Sequence, residues 1–169
     1  MDRDLGGEPV FIEGSVCGAN GAPIANATVD TWQSDHEGYY DVQRASSNGQ
    51  RLRGRFQTGP QGRFHYWSIM PTSYPVPQDG PVGEMLRATA RHAYRPAHIH
   101  FMIAADGYET LVTHIFVNGD PYLESDAVFA VKNSLVREFT KEKPGSAPDG
   151  TSMNRPWRKL FCQFGLKPS

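Results

Sequence analysis

Two histidines spaced two residues apart are the sharpest chemical signal in the sequence. They are His98 and His100, within a run over residues 96–101 that is typical of a β-strand. Because side chains alternate between the two faces of a strand, both imidazoles project from one side and Ile99 from the other. Imidazoles paired in this way can ligate one metal ion, and the same spacing also fits two surface histidines on a solvent-facing strand.

A third histidine favours a metal site over two unrelated surface histidines. The Asp-Gly pair at 106–107 predicts a hairpin turn between two apolar runs. In such a hairpin His114 lies roughly opposite His100 and on the same face. His114 is therefore a candidate third ligand, or a hydrogen-bonding neighbour of the ligands.

Tyrosines in loops are the second signal. Tyr39 and Tyr40 follow a predicted strand that ends at Trp32, and Tyr74 lies in a segment rich in proline and glycine. Such tyrosines are ordinarily surface or cap residues. Beside paired histidines, however, a phenolate is chemically coherent, because it is a hard anionic donor suited to Fe(III).

The elements that must position these residues are short strands joined by turns. Seven runs predict strands, at residues 10–16, 27–32, 51–57, 63–69, 97–104, 110–117 and 157–166. Turn residues after the first, third and fifth runs predict three hairpins, the first through Asn20-Gly21.

The segments between the strands are mostly irregular. Residues 33–50, 70–83 and 141–156 predict loops, and residues 84–90 predict one short helix. Residues 126–140 fit a helix and a strand equally well.

Composition excludes several classes of function. Lys and Arg number 17 against 18 Asp and Glu, which argues against a nucleic-acid partner. No apolar run approaches the roughly 20 residues of a membrane span, and with Cys17 and Cys162 as the only cysteines nothing resembles a disulfide framework. We expect a cytoplasmic protein with neither a nucleic acid nor a membrane as partner.

Six motifs, in order, resemble the intradiol ring-cleavage dioxygenases of the catechol and hydroxyquinol 1,2-dioxygenase type. They occupy residues 29–40, 52–56, 70–74, 79–83, 95–100 and 119–122. The resemblance runs from about residue 8 to residue 166, and residues 122–131 look most like hydroxyquinol 1,2-dioxygenases.

The resemblance implies one non-haem Fe(III) ion per chain. Its ligands would be Tyr40, Tyr74, His98 and His100, and the family's Gly-x-Tyr frame selects Tyr40 over Tyr39. The family precedent makes Tyr74 the ligand that leaves the metal, protonated, when the substrate binds.

The resemblance also implies catalytic roles for Arg95, His114 and Tyr74. Arg95 would stabilise negative charge that develops on the substrate ring. His114 stands where catechol-cleaving relatives carry Gln, and we expect it to be buried near Arg95 and the substrate carbon.

The implied fold is all-β, a two-sheet β-sandwich with long active-site loops and little helix. We expect residues 1–169 to form a single catalytic domain, with a flexible N-terminus at residues 1–7. Relatives usually carry a helical domain ahead of the sandwich that contributes their dimer interface. This sequence starts almost at the first strand, so we expect either a protein naturally reduced to the catalytic core, without that domain, or a partial gene product. A homo-oligomer of this chain would not use that interface.

The implied reaction inserts both atoms of O2 into a catecholic ring between its two hydroxylated carbons. The product is a muconate-type dicarboxylate, and hydroxyquinol and catechol are the first candidate substrates.

Two other functions stay open. His98, His100 and His114 could form a Zn(II) hydrolase centre, which leaves the loop tyrosines unexplained. A non-catalytic β-sandwich binding module with an aromatic platform leaves the combined His, Tyr and Arg set unexplained.

Overall fold

The computed structural model describes residues 6–44 and 51–169, most of whose regular structure is β-strand. Their strands are β1 Pro9–Gly18, β2 Thr28–Gln33, β3 Arg53–Gln57, β4 Arg63–Ile69, β5 Tyr74–Pro75, β6 Tyr94–Arg95, β7 His98–Ala104, β8 Leu111–Val117, β9 Val136–Arg137, β10 Thr140–Glu142, β11 Gly145–Ser146, β12 Ser152–Met153 and β13 Trp157–Leu166. One α-helix, α1, spans Pro81–Ala88, and 3₁₀ turns span Asp41–Gln43 and Asn133–Leu135. No helix in the described ranges is long and apolar enough to cross a membrane.

Two large sheets, beside the small β5–β6 and β11–β12 pairs, make up the architecture of the described residues. One has the order β10-β13-β1-β4 and the other has the order β3-β2-β7-β8-β9. The β1–β13 and β8–β9 pairs are parallel, and the other neighbours in these two sheets are antiparallel. The prediction of an all-β, two-sheet sandwich with little helix is confirmed.

The hydrophobic core lies between these sheets. Alternate residues of β1, β7 and β13 point into this core, as expected from the two-residue period of a strand. The inward side chains from these strands include Val10, Ile12, Val16, Ile99, Phe101, Ile103, Leu160, Phe164 and Leu166. Burying one such side chain stabilises the fold by about 1.5–3 kcal/mol, so the core fixes which face each strand presents.

Only one of the three predicted hairpins forms. β7 and β8 pair through the turn at Gly107, whose φ is +78°. β1 pairs with β4 and β13, whereas β2 pairs with β3 and β7, so the turns after β1 and β3 cross from one sheet to the other. Each of these strands has an apolar face, and that face is buried when the strand lies across the core from its neighbour, whereas its backbone pairs with other strands of its own sheet.

The loop predictions need smaller corrections. Helix α1 begins at Pro81, three residues before the predicted start, because proline fits the first turn of a helix. Within the predicted loop over residues 70–83, Tyr74–Pro75 is a short strand. Residues 45–50 of the first predicted loop, and residues 1–5 of the predicted flexible N-terminus, lie outside the described residues.

The two later segments also differ from prediction. Residues 126–140 form neither a regular helix nor a long strand, but turns followed by a 3₁₀ turn and β9. The predicted loop over residues 141–156 contains the small β11–β12 pair.

Gly14 offers a test of the packing between β1 and β4. A Cβ atom at Gly14 would overlap the buried Phe64 ring. We expect Gly14→Ala to lower the free energy of unfolding by about 1–3 kcal/mol, the usual cost of overpacking a core, measured by urea denaturation. Gly165→Ala in the adjacent β13 is the control, because a Cβ there meets nothing within 4 Å. Equal losses in both variants would contradict this view of the packing.

Candidate metal centre

Strand β7 carries His98 and His100 on the face turned away from the core, and Ile99 between them is buried in it. His100 stands in a cross-strand row between Trp32 of β2 and His114 of β8. The Trp32 ring stacks parallel to the His100 imidazole, with centroids 4.8 Å apart at an interplanar angle of 7°. The predicted strand, face and hairpin register are therefore all present.

Hydrogen bonding orients the His98 ring. Its Nδ1 atom donates to the Pro96 carbonyl oxygen at 2.6 Å, so Nε2 presents a lone pair to the site, where Arg95 Nη1 donates to it at 3.1 Å. Burial, followed by the Arg95 charge, lowers the pKa of His98 to about 3. Burial, followed by neighbouring His98, lowers the pKa of His100 to about 2. Both rings are neutral near pH 7, the form that ligates metals.

Tyr40 reaches the site from the loop after β2. It immediately precedes the 3₁₀ turn Asp41–Gln43, and Arg53 of β3 donates to both carboxylate oxygens of Asp41 at 3.1 and 3.2 Å. This bidentate ion pair fastens the loop to the edge of the sheet. The Tyr40 Oη atom lies 2.9 Å from His100 Nε2.

Tyr74 reaches the site from the short β5–β6 pair, in which it stands directly opposite Arg95. Its Oη atom lies 2.9 Å from Tyr40 Oη and 3.5 Å from His98 Nε2. The two tyrosine loops approach closely at Gly38, which has a φ of +89°. A Cβ there would lie 3.0 Å from Tyr74 Cβ, so both the backbone conformation and the close approach favour glycine.

Four donor atoms thus converge on one point, and they suit a metal ion. They are Tyr40 Oη, Tyr74 Oη, His98 Nε2 and His100 Nε2, with neighbours 2.9–3.5 Å apart. Ligands about 2.1 Å from a shared ion lie roughly 3 Å from one another. Burial and the neighbouring Tyr74 raise the pKa of Tyr40, so only a strongly Lewis-acidic cation would hold it as a phenolate. Two phenol oxygens and two imidazoles fit a hard ion such as Fe(III).

His114 lies beside this group. Its ring centroid is 4.5 Å from that of His100 and 5.3 Å from that of His98, and ligand nitrogens of the three histidines lie within 4.8 Å of one another. Burial and the Arg95 charge lower the pKa of His114. The expectation that His114 is buried was wrong: it is partly exposed, because the outer face of β8 is only partly covered.

Arg95 is buried directly behind the donor atoms. Its guanidinium donates from Nη1 to His98 and from Nε to Asp126 Oδ1 at 3.2 Å. Its Nη2 atom is buried and has no hydrogen-bond partner among the described residues. A buried N–H without a partner costs about 1–3 kcal/mol, so this atom is a candidate contact for a bound molecule.

The sequence did not reveal three contacts that shape the site. They are the ion pair of Asp126 with Arg95, the stacking of Trp32 on His100, and the ion pair of Asp41 with Arg53. Asp126 had a visible signal, since it is a carboxylate at the start of a mostly apolar run. Its partner is 31 residues away, and no local pattern links the two.

Comparison with known proteins gives a consistent result. A family model described as Dioxygenase matches residues 1–156. The 6-chlorohydroxyquinol 1,2-dioxygenase of Cupriavidus pinatubonensis is 53% identical over 140 residues, which are 83% of this chain and 51% of the relative. The hydroxyquinol 1,2-dioxygenase of Nocardioides simplex is 43% identical over 96% of this chain and 56% of its own length. The chain therefore spans about half the length of these curated relatives.

Solved structures share the fold. The hydroxyquinol 1,2-dioxygenase of Pseudomonas putida DLL-E4 superposes with a TM-score of 0.90 at 41% identity, over 98% of this chain and 58% of that one. The catechol 1,2-dioxygenase of Pseudomonas arvilla C-1 gives a TM-score of 0.92 at 35% identity, over 100% of this chain and 55% of that one.

The two adjacent tyrosines allow a matched test of the donor set. Tyr40→Phe removes a converging oxygen, and we expect it to weaken metal binding by about tenfold or more. Tyr39→Phe is the control, because Tyr39 is 48% exposed and its ring packs on Arg44. Metal content is measured by elemental analysis after dialysis against a series of chelators of increasing affinity. Equal metal retention in the two variants would remove Tyr40 from the donor set.

Proposed function

Since the chain belongs to the intradiol dioxygenase family, we propose that it inserts both atoms of O2 into a catecholic ring between the two hydroxylated carbons. The product would be a muconate-type dicarboxylate. The observation that carries this proposal is the convergence of two phenol oxygens and two imidazole nitrogens within 3.5 Å of their neighbours. We assign the activity to residues 1–169 acting as one catalytic domain.

The proposed cofactor is one non-haem Fe(III) ion per chain. Its ligands would be Tyr40, Tyr74, His98 and His100. Because the two imidazoles are neutral, only oxygen ligands would offset the positive charge of the ion. The chemistry that bound Fe(III) supplies is Lewis-acid activation of a chelated diolate towards O2.

Tyr74 is the proposed proton acceptor for the incoming diol. Two phenolates and a hydroxide would balance a charge of +3, and a fully deprotonated diol brings two negative charges in place of the hydroxide's one. Of the two diol protons, one would leave with the hydroxide as water and the other would pass to Tyr74 Oη, which restores the balance. Tyr74 suits this role because it lies on a strand of only two residues, whereas the loop of Tyr40 is fastened by the Asp41–Arg53 ion pair.

Arg95 is the proposed stabiliser of negative charge on the ring. Arginine side chains carry a positive charge in proteins, and the buried Nη2 N–H group of Arg95 has no partner among the described residues. A fixed, desolvated donor of this kind stabilises charge that develops during a reaction more strongly than water does. His114, whose pKa is lowered by burial and then by the Arg95 charge, would lie beside the same part of the substrate.

Hydroxyquinol and catechol are the proposed substrate candidates, and O2 is the second substrate. Hydroxyquinol comes first because residues 122–131 resemble hydroxyquinol dioxygenases and because the two curated relatives described above are named as 6-chlorohydroxyquinol and hydroxyquinol 1,2-dioxygenases. The choice between these diols rests on the shape of the pocket.

A zinc hydrolase is the second candidate, because three histidine nitrogens lie within 4.8 Å of one another. The set of His98, His100 and His114 would suffice for a catalytic zinc site. That site makes no use of the two phenol oxygens, which lie 2.9 and 3.5 Å from histidine nitrogens that are themselves 3.2 Å apart.

Oxygen uptake and metal content on one preparation separate the two candidates. We expect the chain to contain about one iron atom, to be visibly coloured by tyrosinate-to-iron charge transfer, and to consume one O2 per hydroxyquinol or catechol. The measurements are elemental analysis, visible absorbance and an oxygen electrode with a panel of diols. Colourless protein with stoichiometric zinc and no oxygen uptake would overturn the dioxygenase proposal.

Arg95→Ala tests the role of the guanidinium. We expect kcat to fall by about a hundredfold or more, the usual cost of removing a donor to developing charge, while the tyrosinate absorbance remains because Arg95 is not among the proposed ligands. Arg55→Ala is the control, since Arg55 extends from β3 with 72% of its side chain exposed. Loss of the iron and its absorbance in Arg95→Ala would instead assign Arg95 to holding the ligands.

A further inference from the structure

Asp126 is the one carboxylate that contacts the Arg95 guanidinium among the described ion pairs. Its Oδ1 atom accepts from Arg95 Nε at 3.2 Å, and the two side chains are 2% and 8% exposed respectively. Removing two charges from water costs several kcal/mol per ion, and a buried pair often adds little net stability. The burial of this pair is therefore poorly explained by stability alone.

Two of the three guanidinium nitrogens of Arg95 have a hydrogen-bond partner and the third has none among the described residues. Nε donates to Asp126, Nη1 donates to His98 Nε2, and Nη2 has no partner among the described residues. A metal ion held by His98 would take the lone pair that Nη1 uses. Among the described hydrogen bonds of the guanidinium, the one to Asp126 would then be left to set its orientation.

Asp126 is itself held in place by its own loop. Its Oδ1 and Oδ2 atoms accept from the backbone N–H groups of Val128 at 3.3 Å and Ala130 at 3.0 Å. Arg91 donates to the Asp126 carbonyl oxygen at 2.9 Å. Because side chain and backbone are both anchored, the carboxylate is a fixed point against which the arginine is aligned.

We propose that Asp126 is a positioning residue that holds Arg95 by Nε and so directs its unpaired Nη2 N–H towards the diol. This inference rests on the proposed function. Asp126 acts through Arg95, and its described side-chain hydrogen bonds go to Arg95, Val128 and Ala130 rather than to a proposed metal ligand. In its absence the guanidinium is free to rotate about its side-chain torsions and to satisfy Nη2 elsewhere.

A double-mutant cycle on the iron-loaded chain tests this dependence. The variants are Asp126→Asn, Arg95→Ala and the double variant, with kcat and KM for the diol measured for each. Asp126→Asn is expected to lower kcat/KM by about 10–100-fold, as loss of a supporting contact behind a functional group commonly does. In the Arg95→Ala background the same substitution should change kcat/KM by less than about twofold, since the group it positions is gone.

A second readout does not depend on turnover. The affinity of the iron-loaded protein for the diol in the absence of oxygen is followed through the visible absorbance. Asp126→Asn should lower this affinity when Arg95 is present and leave it unchanged in the Arg95→Ala background. Iron content and melting temperature are recorded for every variant. Asp30→Asn is the control, because Asp30 forms an ion pair with Arg55 on the exposed face of β2 and β3, and no change in kcat/KM is expected.

The outcomes are distinct. Full activity of folded Asp126→Asn, or effects of Asp126→Asn and Arg95→Ala that multiply in the double variant, would overturn the proposal. If Asp126→Asn does not fold, Asp126→Glu replaces it in the cycle, and its loss of activity must again vanish in the Arg95→Ala background. Failure of the proposed function shows separately, as wild-type protein that consumes no oxygen with any diol, and the anaerobic affinities still decide the role of Asp126.

Discussion

Ile99, Phe101 and Ile103 of β7 are fully buried between the two sheets, and the rest of the site depends on that burial. Since side chains alternate along a strand, fixing these three residues in the core forces His98 and His100 onto the opposite face. A slip of one residue would exchange the histidines with the core residues. The cost of exposing three large apolar side chains therefore holds both histidines on this face, and the contacts of His98 with Pro96 and of His100 with Trp32 then orient the rings.

The other half of the donor set comes from segments that the core does not hold. Tyr40 depends on the Asp41–Arg53 ion pair at the edge of the second sheet, and Tyr74 depends on the two-residue pairing of β5 with β6. That pairing also places Tyr74 directly opposite Arg95. One small structure thus supplies both a proposed ligand and the guanidinium behind the ligands, so their separation does not depend on long loops.

Much of the architecture was predictable because strands and turns are indicated by patterns within a few neighbouring residues. All seven predicted strands exist, and the β7–β8 hairpin has the expected register, with His100 opposite His114. The other two predicted hairpins were wrong, because a tight turn brings strands near each other without deciding whether they pair or face each other across a core. The partial exposure of His114 was also missed, since it depends on how much of β8 is covered by neighbouring segments.

The sequence by itself determined which residues could form the centre: the spacing of His98 and His100 and the motifs around Tyr40, Tyr74 and Arg95 were enough to name them. Only the tertiary structure decided that their donor atoms meet within 3.5 Å of their neighbours, and that Asp126 lies against Arg95. The physical reason is the sequence separation over which each kind of interaction acts. Alternation and turn chemistry act over a few residues, whereas contacts across 24 to 60 residues are set by how the two sheets and their loops pack.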